Sequence, residues 1–567
     1  MHKQKKNLFL ISLLLILTSP KTIYANFDSN QRAIERTQRL LELKRENEYI
    51  NQELKYPMRK EIVIKKKPLD NIKEGEKYFF SQIKIEGGKK YQKALDKIIE
   101  KHIATKMSKE DIFKLVGELS NYYIENGYIT TIVTVKKGNV KLGLLVFEVK
   151  EGKLNEIKIK NEKELTLKKK LKLFTAFPNR KDELLNIHDI DQGIENMNIG
   201  GWNNVMEVIP IEEYGYSDII IEENYSWSGI SIGVDNSSYK DNGREKLNIS
   251  LEKDNLLGIN DKLSFNFIER LTYHRKQNKE TNYDLNYFFP LGYWKFSYNF
   301  NFGDSYNTID GDFGSYRTDG KSYKHKFRIS RVVERTQNSK STLYFDLTLK
   351  DNKNKMEGLL LEVNSKKYSY FSIGGNHVNK LWGGSFFSSI NYERGVEWFG
   401  GEGNSDNPDS PKPEFNKFNI NLDWQRQIYL KNNSYFEYNF SLGGSYSPDR
   451  LLSANKFNMG DEFTVRGFKE SSVSGDKGIY INNTLSYNLS REKYKILSKF
   501  KPFIGLDFGV SKDVDLENSD KIAGIAAGLS FYSNGLYGIL TFSAPLRRSE
   551  GMPKETQPIY FSVSYRY

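Results

Sequence analysis

The residues best placed to do chemistry form two short motifs in the C-terminal part of the chain. The first is TVRGF at 464–468, and the second is GLDFG at 505–509. An arginine can hold a carboxylate through two parallel hydrogen bonds, which fixes orientation as well as charge and which lysine does not reproduce. We therefore predict that Arg466 pairs with Asp507, and that Gly467 permits a tight loop tip.

Other reactive side chains are not arranged for catalysis or metal binding. The 6 histidines are scattered, and with 0 cysteines the chain can build no disulfide, thiolate zinc site, iron–sulfur cluster or thiol nucleophile. Residues 314–322 resemble a phosphate-binding loop with one residue too many, which a hairpin turn explains better. Asn404, Asp406 and Asp409 lie in a proline-broken segment unlike a calcium loop. The sequence predicts no enzyme, no cofactor and no metal site.

Composition narrows the class of protein further. Of 567 residues, 38% are hydrophobic and 28% charged, which excludes a bundle of apolar membrane helices. Aromatic residues make up 14%, mainly 36 Tyr and 35 Phe, and favour strands. The net charge of +13 is mild at this length, so we expect polar surfaces that face acidic partners and no nucleic-acid binding.

Residues 1–25 are typical of a secretory signal peptide. A basic start is followed by an apolar run from Leu8 to Leu17, and Ile23-Tyr24-Ala25 offers a cleavage site. A buried apolar helix or a single membrane anchor is the alternative, but a run of that length spans only about 15 Å. No later apolar run approaches the length of a membrane helix, so a membrane-embedded mature chain must be a β-barrel. An exported chain of this kind fits a Gram-negative periplasm or outer membrane.

The N-terminal part of the mature chain is predicted to be a polar helix followed by a linker. Residues 26–55 are rich in helix-forming Glu, Arg, Lys, Gln and Leu, with too few apolar positions for a core-facing stripe. Such a helix must lie in water, bridge domains or occupy a polar cavity. Residues 56–77 lack a clear period and include Pro57 and Pro68, which indicates a periplasmic linker.

Two small α+β units are predicted next, at 78–152 and 153–225. The first has the element order β-α-α-β-β, and the second repeats it with strands at its start and end and two helices between. Tandem copies of one small motif suggest a binding arm rather than a catalytic domain.

Residues 226–567 are predicted to form a transmembrane barrel of about sixteen antiparallel strands. Segments of alternating apolar and polar residues begin near 226, 244, 261, 280, 293, 323, 341, 366, 383, 414, 434, 477, 499, 521, 535 and 557. A β-sandwich or propeller would also alternate, but it would not explain a secretory leader and an aromatic last strand together. One face of that last strand carries Phe561, Val563, Tyr565 and Tyr567.

The barrel assignment orients the connections and Asp507. If the N-terminal arm is periplasmic, connections after odd-numbered strands face outside and should be long; we expect these at 304–321, 397–413 and 448–476. In the strand around Asp507, four apolar residues share the opposite face, so Asp507 should point into the lumen. Its neighbours on its own face are Gly505 and Gly509, which leave room for a loop to press against the wall.

At these motifs the chain resembles the two-partner secretion transporters (TpsB class, haemolysin-activator type), whose superfamily joins POTRA domains to a sixteen-stranded barrel. The family's loop-tip motif VRG(F/Y) matches Val465, Arg466, Gly467 and Phe468, and its G-x-D-x-G strand motif matches Gly505, Asp507 and Gly509. The stretches 126–130, 148–152, 177–178 and 185–193 look like parts of the family's two POTRA domains. Where members often carry an acidic residue on strand twelve, this chain has Asn482-Asn483-Thr484, which leaves Asp507 as the main expected partner of Arg466.

The resemblance implies an outer-membrane transporter with its N-terminal domains in the periplasm and the polar helix as a plug. Its implied partner is a large exoprotein, an adhesin or haemolysin with an N-terminal secretion domain, exported unfolded through the barrel. Further expected partners are the lipid bilayer and, during biogenesis, the barrel-assembly machinery, for which the terminal aromatic Tyr567 would suit as a signal. Alternatives are a barrel-assembly or translocation factor of the same superfamily, and a passive porin-like channel.

Overall fold

A computed structural model describes residues 29–58, 75–178, 181–211, 215–227, 229–239, 243–272, 278–311, 314–362, 365–431 and 433–567. The predicted signal peptide and most of the predicted linker lie outside these residues. In the part of the chain so described, no helix is both long and apolar enough to cross a bilayer. The first element is a long helix, α1 (Ser29–Leu54), followed by a short 3₁₀ turn (Tyr56–Met58).

The first α+β unit packs two helices on a three-stranded sheet. Its strands are β1 (Tyr78–Phe80), β2 (Gln82–Gly87), β3 (Thr105–Met107), β4 (Ile132–Asn139) and β5 (Leu144–Lys150), and its helices are α2 (Gln92–Glu100) and α3 (Lys109–Glu125). The sheet order is β2-β5-β4, with β1 and β3 paired separately. A capping box starts α3, because Ser108 and Asp111 satisfy each other's backbone N–H groups. Leu95, Leu115 and Phe147 lie at the centre of its apolar core.

The second unit repeats this plan with a core of its own. It consists of β6 (Lys153–Ile159), α4 (Leu167–Ala176), α5 (Ile187–Met197), β7 (Val205–Pro210) and β8 (Tyr216–Glu222), with sheet order β6-β8-β7. Ile190, Ile219 and Ile221 are buried in its core. Each unit therefore closes its own hydrophobic core and leaves two sheet edges unpaired within its sheet.

Sixteen long strands form a closed antiparallel barrel, as the alternating pattern predicted. They are β9 (Ile230–Asp235), β10 (Lys246–Asp254), β11 (Lys262–Arg270), β12 (Asn278–Leu291), β13 (Trp294–Gly311), β14 (Gly314–Arg335), β15 (Lys340–Met356), β17 (Lys367–Leu381), β18 (Gly384–Val396), β19 (Asn416–Tyr429), β20 (Tyr435–Tyr446), β23 (Lys477–Asn488), β24 (Phe500–Lys512), β25 (Asp520–Ser533), β26 (Leu536–Arg547) and β27 (Ile559–Arg566). Three short strands lie in connections: β16 (Leu359–Leu360), β21 (Phe457–Met459) and β22 (Val473–Gly475). Pairing of β27 with β9 closes the ring, so no strand edge faces lipid over the paired stretch.

One predicted connection is wrong. Residues 304–311 and 314–321 are strand and not loop, because β13 and β14 remain paired from Asp304↔Lys321 up to Gly311↔Gly314. This hairpin is polar on both faces, so the alternation that marks a lipid-facing strand is absent there although the backbone ladder continues. The connections after β18 and β20 are long, as expected.

The outer wall of the barrel is apolar and ends in a belt of aromatic residues near the α+β units. In β24 the residues Ile504, Leu506 and Phe508 are exposed outward while Asp507 is buried inward. Near the turns at the end that carries the two units, exposed aromatic side chains recur on several strands or turns: Trp294, Trp382, Tyr429, Tyr537 and Tyr565. Such girdles mark the interface between bilayer and water.

The polar helix α1 lies inside the barrel. Arg45 Nη1 donates to both carboxylate oxygens of Asp284 on β12 at 3.0 Å, Lys340 of β15 donates to Glu53 at 2.8 Å, and Lys324 of β14 pairs with Glu42. A helix with polar residues all round thus finds polar partners in a polar cavity, the third of the placements that its sequence left open.

We expect removal of residues 29–55 to raise the single-channel conductance of the barrel in planar bilayers, because the helix occupies the lumen. Glu48, on an exposed part of the helix, provides the matched control: Glu48→Ala should leave the conductance at that of the full chain. Equal conductance with and without the helix would contradict this placement.

Candidate functional site

The connection between β20 and β23 folds back into the lumen and carries the predicted loop-tip motif. Strands β21 and β22 pair at its base, from Phe457↔Gly475 to Met459↔Val473. Asp461 shapes the turn that follows, because its carboxylate accepts hydrogen bonds from the backbone N–H groups of Phe463 and Thr464, both at 2.9 Å. The turn directs the next residues toward the wall formed by β23 and β24.

Arg466 and Asp507 form the predicted bidentate pair. Nε of Arg466 donates to Oδ2 of Asp507 at 2.7 Å, and Nη2 donates to Oδ1 at 2.7 Å. The backbone N–H of Arg466 adds a third bond to Oδ2 at 3.0 Å. The side chain of Asp507 is 0% exposed and that of Arg466 is 7% exposed. The charges are thus removed from water but fully matched, the condition under which a buried ion pair is tolerated.

The asparagines that replace an expected acidic residue also serve the arginine. Nη2 of Arg466 donates to the backbone carbonyl of Asn483 at 2.8 Å, and Nδ2 of Asn482 donates to the backbone carbonyl of Thr464 at 3.0 Å. Neutral amide and carbonyl groups therefore complete the site, and Asp507 supplies its carboxylate.

The glycines of the strand motif make the close approach possible. A Cβ at Gly505 would lie 2.1 Å from Nη2 of Arg466, and one at Gly509 would lie 2.5 Å from the sulfur of Met459. Gly467 has a φ of +108°, which other residues rarely adopt, and its α-carbon faces the backbone of Ala544. At Gly505 and Gly509 the barrel wall therefore has no side chain between its backbone and the loop.

Val465 and Phe468 anchor the tip on either side of the arginine. Both are 0% exposed and pack with Met459, Val473 and Ile522. A fully buried aromatic and a buried β-branched residue hold the loop by apolar burial that the arginine pair alone would not provide. All four residues of the predicted tip are therefore in contact with the loop's own core or the barrel.

Glu555 was not identified from the sequence, yet it holds the second limb of the loop. Its carboxylate accepts hydrogen bonds from the consecutive backbone N–H groups of Lys469 and Ser471 at 2.8 Å and of Glu470 at 3.0 Å. The side-chain hydroxyl of Tyr560 donates to the carbonyl of Phe468 at 2.5 Å. No local pattern marks this residue, because its partners lie 84 to 86 positions away.

The helix α1 contacts the same loop. Arg39 Nη1 donates to Oδ2 of Asp461 at 2.7 Å, and Arg36 Nη1 donates to the backbone carbonyl of Lys469 at 2.8 Å. The helix therefore holds both ends of the loop tip, so displacement of either element breaks contacts with the other.

The C-terminal strand has the predicted alternation. Val563, Tyr565 and Tyr567 are exposed on the outer side, and the partly buried Phe561 occupies the same face. That these residues signal to an assembly machinery stays a prediction. Among the described residues, no group of three or more His, Cys, Asp or Glu side chains could hold a metal ion.

The second α+β unit is joined to the barrel at the periplasmic end. Nδ2 of Asn196 donates to the carbonyl of Gly292 at 2.7 Å, and the hydroxyl of Tyr293 donates to Asp189 at 2.5 Å. Lys340 contacts Glu195 at 2.9 Å as well as Glu53 of α1. One barrel lysine thus links the lumen helix to the periplasmic unit.

A closed sixteen-stranded barrel with a docked lumen loop, a lumen helix and two periplasmic α+β units defines an outer-membrane protein transporter. Residues 79–152 match the "POTRA domain, ShlB-type" family, 153–207 match the POTRA domain family, and 215–531 match "Haemolysin secretion/activation protein ShlB/FhaC/HecB". The chain belongs to this haemolysin secretion/activation family.

Relatives and solved structures agree with that membership. The outer membrane transporter CdiB of Dickeya dadantii (strain 3937) is 32% identical over 467 residues, covering 81% of this chain and 80% of the relative. The hemolysin transporter protein ShlB of Serratia marcescens is 26% identical, with 81% of each covered. The structure of CdiB from Escherichia coli superposes with a TM-score of 0.84 at 25% identity, covering 94% of this chain and 98% of that one. The barrel-assembly alternative is not favoured by these relatives.

Two replacements of Arg466 should weaken docking of the loop, the second more than the first. Arg466→Lys keeps the charge but loses the planar fork, and should weaken the docking free energy by about 1–3 kcal/mol. Arg466→Ala leaves the carboxylate of Asp507 buried without its cation, and should weaken the docking free energy by about 3–5 kcal/mol. Export of the partner into the medium should fall in that order while heat-modifiable barrel persists in outer-membrane fractions. Arg450→Lys, on the exposed part of the same loop, is the control. Unchanged export in both Arg466 variants would remove the pair from the mechanism.

Gly505→Ala should reduce export because its Cβ would lie 2.1 Å from the Arg466 guanidinium. Gly538→Ala is the matched control: its nearest neighbour, a methyl of Val563, would lie 3.8 Å away. Secretion assays on equal amounts of folded barrel compare the two. Full activity of Gly505→Ala would mean that the loop does not need to dock this closely.

Proposed function

We propose that this transporter exports one large exoprotein of the adhesin or haemolysin kind by two-partner secretion. The observation that carries the proposal is a lumen that is both polar and obstructed by removable elements. Helix α1 and the loop tip are held in the lumen by hydrogen bonds, ion pairs and apolar contacts, which can be broken without breaking the chain. The relatives are named as transporters of hemolysin and as CdiB, which supports a partner of this class.

In the resting arrangement the lumen holds matched ion pairs. A passing polypeptide would need to displace Arg45 from Asp284, Glu42 from Lys324 and Glu53 from Lys340. Water enters the lumen as the helix leaves, so each separated charge becomes hydrated and the cost of parting stays modest. Transport needs no bound nucleotide in this scheme, and folding of the partner outside supplies direction.

The periplasmic units supply the capture surface. Strands β4 and β7 are edge strands of their sheets, and each exposes apolar side chains, among them Ile132 and Val205 at 41% and 57%. An unfolded segment can add to such an edge through backbone hydrogen bonds while alternate side chains meet those apolar residues. The arm would thus hold the exoprotein's N-terminal secretion domain beneath the lumen.

An isolated arm, residues 78–225, should bind the N-terminal secretion domain of the cognate exoprotein in a pull-down, since each unit has a closed core. Ile132→Lys on β4 and Val205→Lys on β7 should reveal which edge is used through loss of binding in one of them. Phe113→Lys, at a 38% exposed position of helix α3, is the control for added charge. Failure of the unmodified arm to bind in mild salt would favour a passive porin.

A further inference from the structure

Helix α4 carries an apolar stripe that no other described residue covers. Leu167, Leu171 and Phe174 follow one another at helical spacings of four and three and are 74%, 37% and 59% exposed. Leu173 and Ala176, on the opposite side, are buried in the core of the second unit. The stripe is therefore a separate surface, of the kind that marks an interaction site.

The helix lies at the level where the barrel meets the bilayer interface. The backbone N–H of Gly292 donates to the carbonyl of Thr175 at 2.8 Å, and Nδ2 of Asn260 donates to the hydroxyl of Thr175 at 2.9 Å. Only two residues after Gly292, Trp294 is exposed on the outer wall in the aromatic belt. The last turn of α4 thus contacts the barrel immediately below the membrane boundary.

The apolar surface continues onto the barrel turn between β10 and β11. Leu256 and Leu257 in this turn are 41% and 57% exposed. The next residue, Gly258, abuts the first turn of α4: a Cβ on it would lie 3.2 Å from Cβ of Lys168. The two leucines of the turn and the apolar stripe of α4 therefore both lie beside the contact between Gly258 and Lys168.

Basic residues flank the stripe. Lys168 and Lys170 are exposed, and neither forms an ion pair with the described residues. The neighbouring lysines differ: Lys169 pairs with Glu162, and Lys172 is buried over the ring of Trp202 with Glu223 at 2.6 Å. Burial lowers the pKa of Lys172, and the carboxylate of Glu223 partly counteracts this. Among the four lysines of α4, all of them described, Lys168 and Lys170 are therefore the two left to meet an outside anion.

We propose that α4 and the turn at 255–261 rest on the periplasmic leaflet of the outer membrane. The leucines and Phe174 enter the boundary between headgroups and acyl chains, and Lys168 and Lys170 contact the phosphates of anionic phospholipids. An apolar face bordered by lysines is the pattern of helices that lie in a membrane interface. This contact would fix the second POTRA unit beneath the lumen independently of any exoprotein.

The absence of cysteine in the chain allows a clean test. Leu171→Cys and Phe174→Cys each create one site for a nitroxide label in the full-length protein, reconstituted without exoprotein into vesicles of phosphatidylethanolamine and phosphatidylglycerol. We expect these two labels to collide more often with oxygen, and less often with a water-soluble nickel chelate, than a label on the control position does. Leu142→Cys, at a 70% exposed apolar position of the first unit, is the matched control and should stay accessible to the chelate.

Charge reversal checks the second half of the proposal. We expect the label at position 174 to lose its protection from the chelate when Lys168→Glu and Lys170→Glu are added to the Phe174→Cys protein. The same loss is expected for the Phe174→Cys protein alone in vesicles in which phosphatidylcholine replaces phosphatidylglycerol. Heat-modifiable mobility on gels confirms that each labelled barrel is folded. Equal chelate access at positions 171, 174 and 142 in anionic vesicles would overturn the proposal. So would protection that arises only after the exoprotein's secretion domain is added, because the stripe would then be a substrate surface. The labels report membrane contact in the absence of export. A negative result for this proposal can therefore be told apart from a failure of the proposed secretion function.

Discussion

The closure of the barrel is the constraint on which the rest of the structure depends. In the hydrocarbon layer every backbone group must pair internally, which only a closed sheet of strands achieves here. Closure with sixteen strands leaves a lumen too wide to be filled by wall side chains alone. Polar side chains that are buried inside this space need hydrogen-bonding or ionic partners, because burial separates them from bulk water. The lumen helix, the infolded loop and the inward-facing charged residues of the wall meet that requirement by pairing with one another.

The pair between Arg466 and Asp507 shows how specific that solution becomes. Four hydrogen bonds converge on one fully buried carboxylate, three of them from Arg466 and one from the backbone N–H of Asn483. A lysine would satisfy the charge but not the geometry, and any side chain larger than hydrogen at position 505 would occupy the place of the guanidinium. The charge of Asp507 and the lack of a side chain at position 505 therefore both favour this docked arrangement of the loop.

The lumen helix and the loop form one connected assembly. Arg39 bridges from the helix to Asp461, the residue that shapes the loop turn. At the other end of the helix, Glu53 shares Lys340 with Glu195 of the periplasmic unit. A chain of contacts thus runs from the POTRA unit through the helix to the loop tip. An event at the periplasmic arm can change the free energy of the plugged state because these contacts are common to both.

The amino-acid sequence by itself determined the strand pattern, because alternation is a local property of period two. It located the strand around Asp507, placed that residue on the inner face, and pointed to Arg466 as its partner through side-chain chemistry and a family motif. It failed at the tall hairpin of β13 and β14, where polar residues on both faces hide the period. The residue pattern of α1 left its placement open, and the family resemblance implied the plug that the structure shows. Only the tertiary structure decided that Glu555 clamps the loop and that Arg39 reaches Asp461. These contacts join residues far apart in the chain, and the closed ring of strands brings them together.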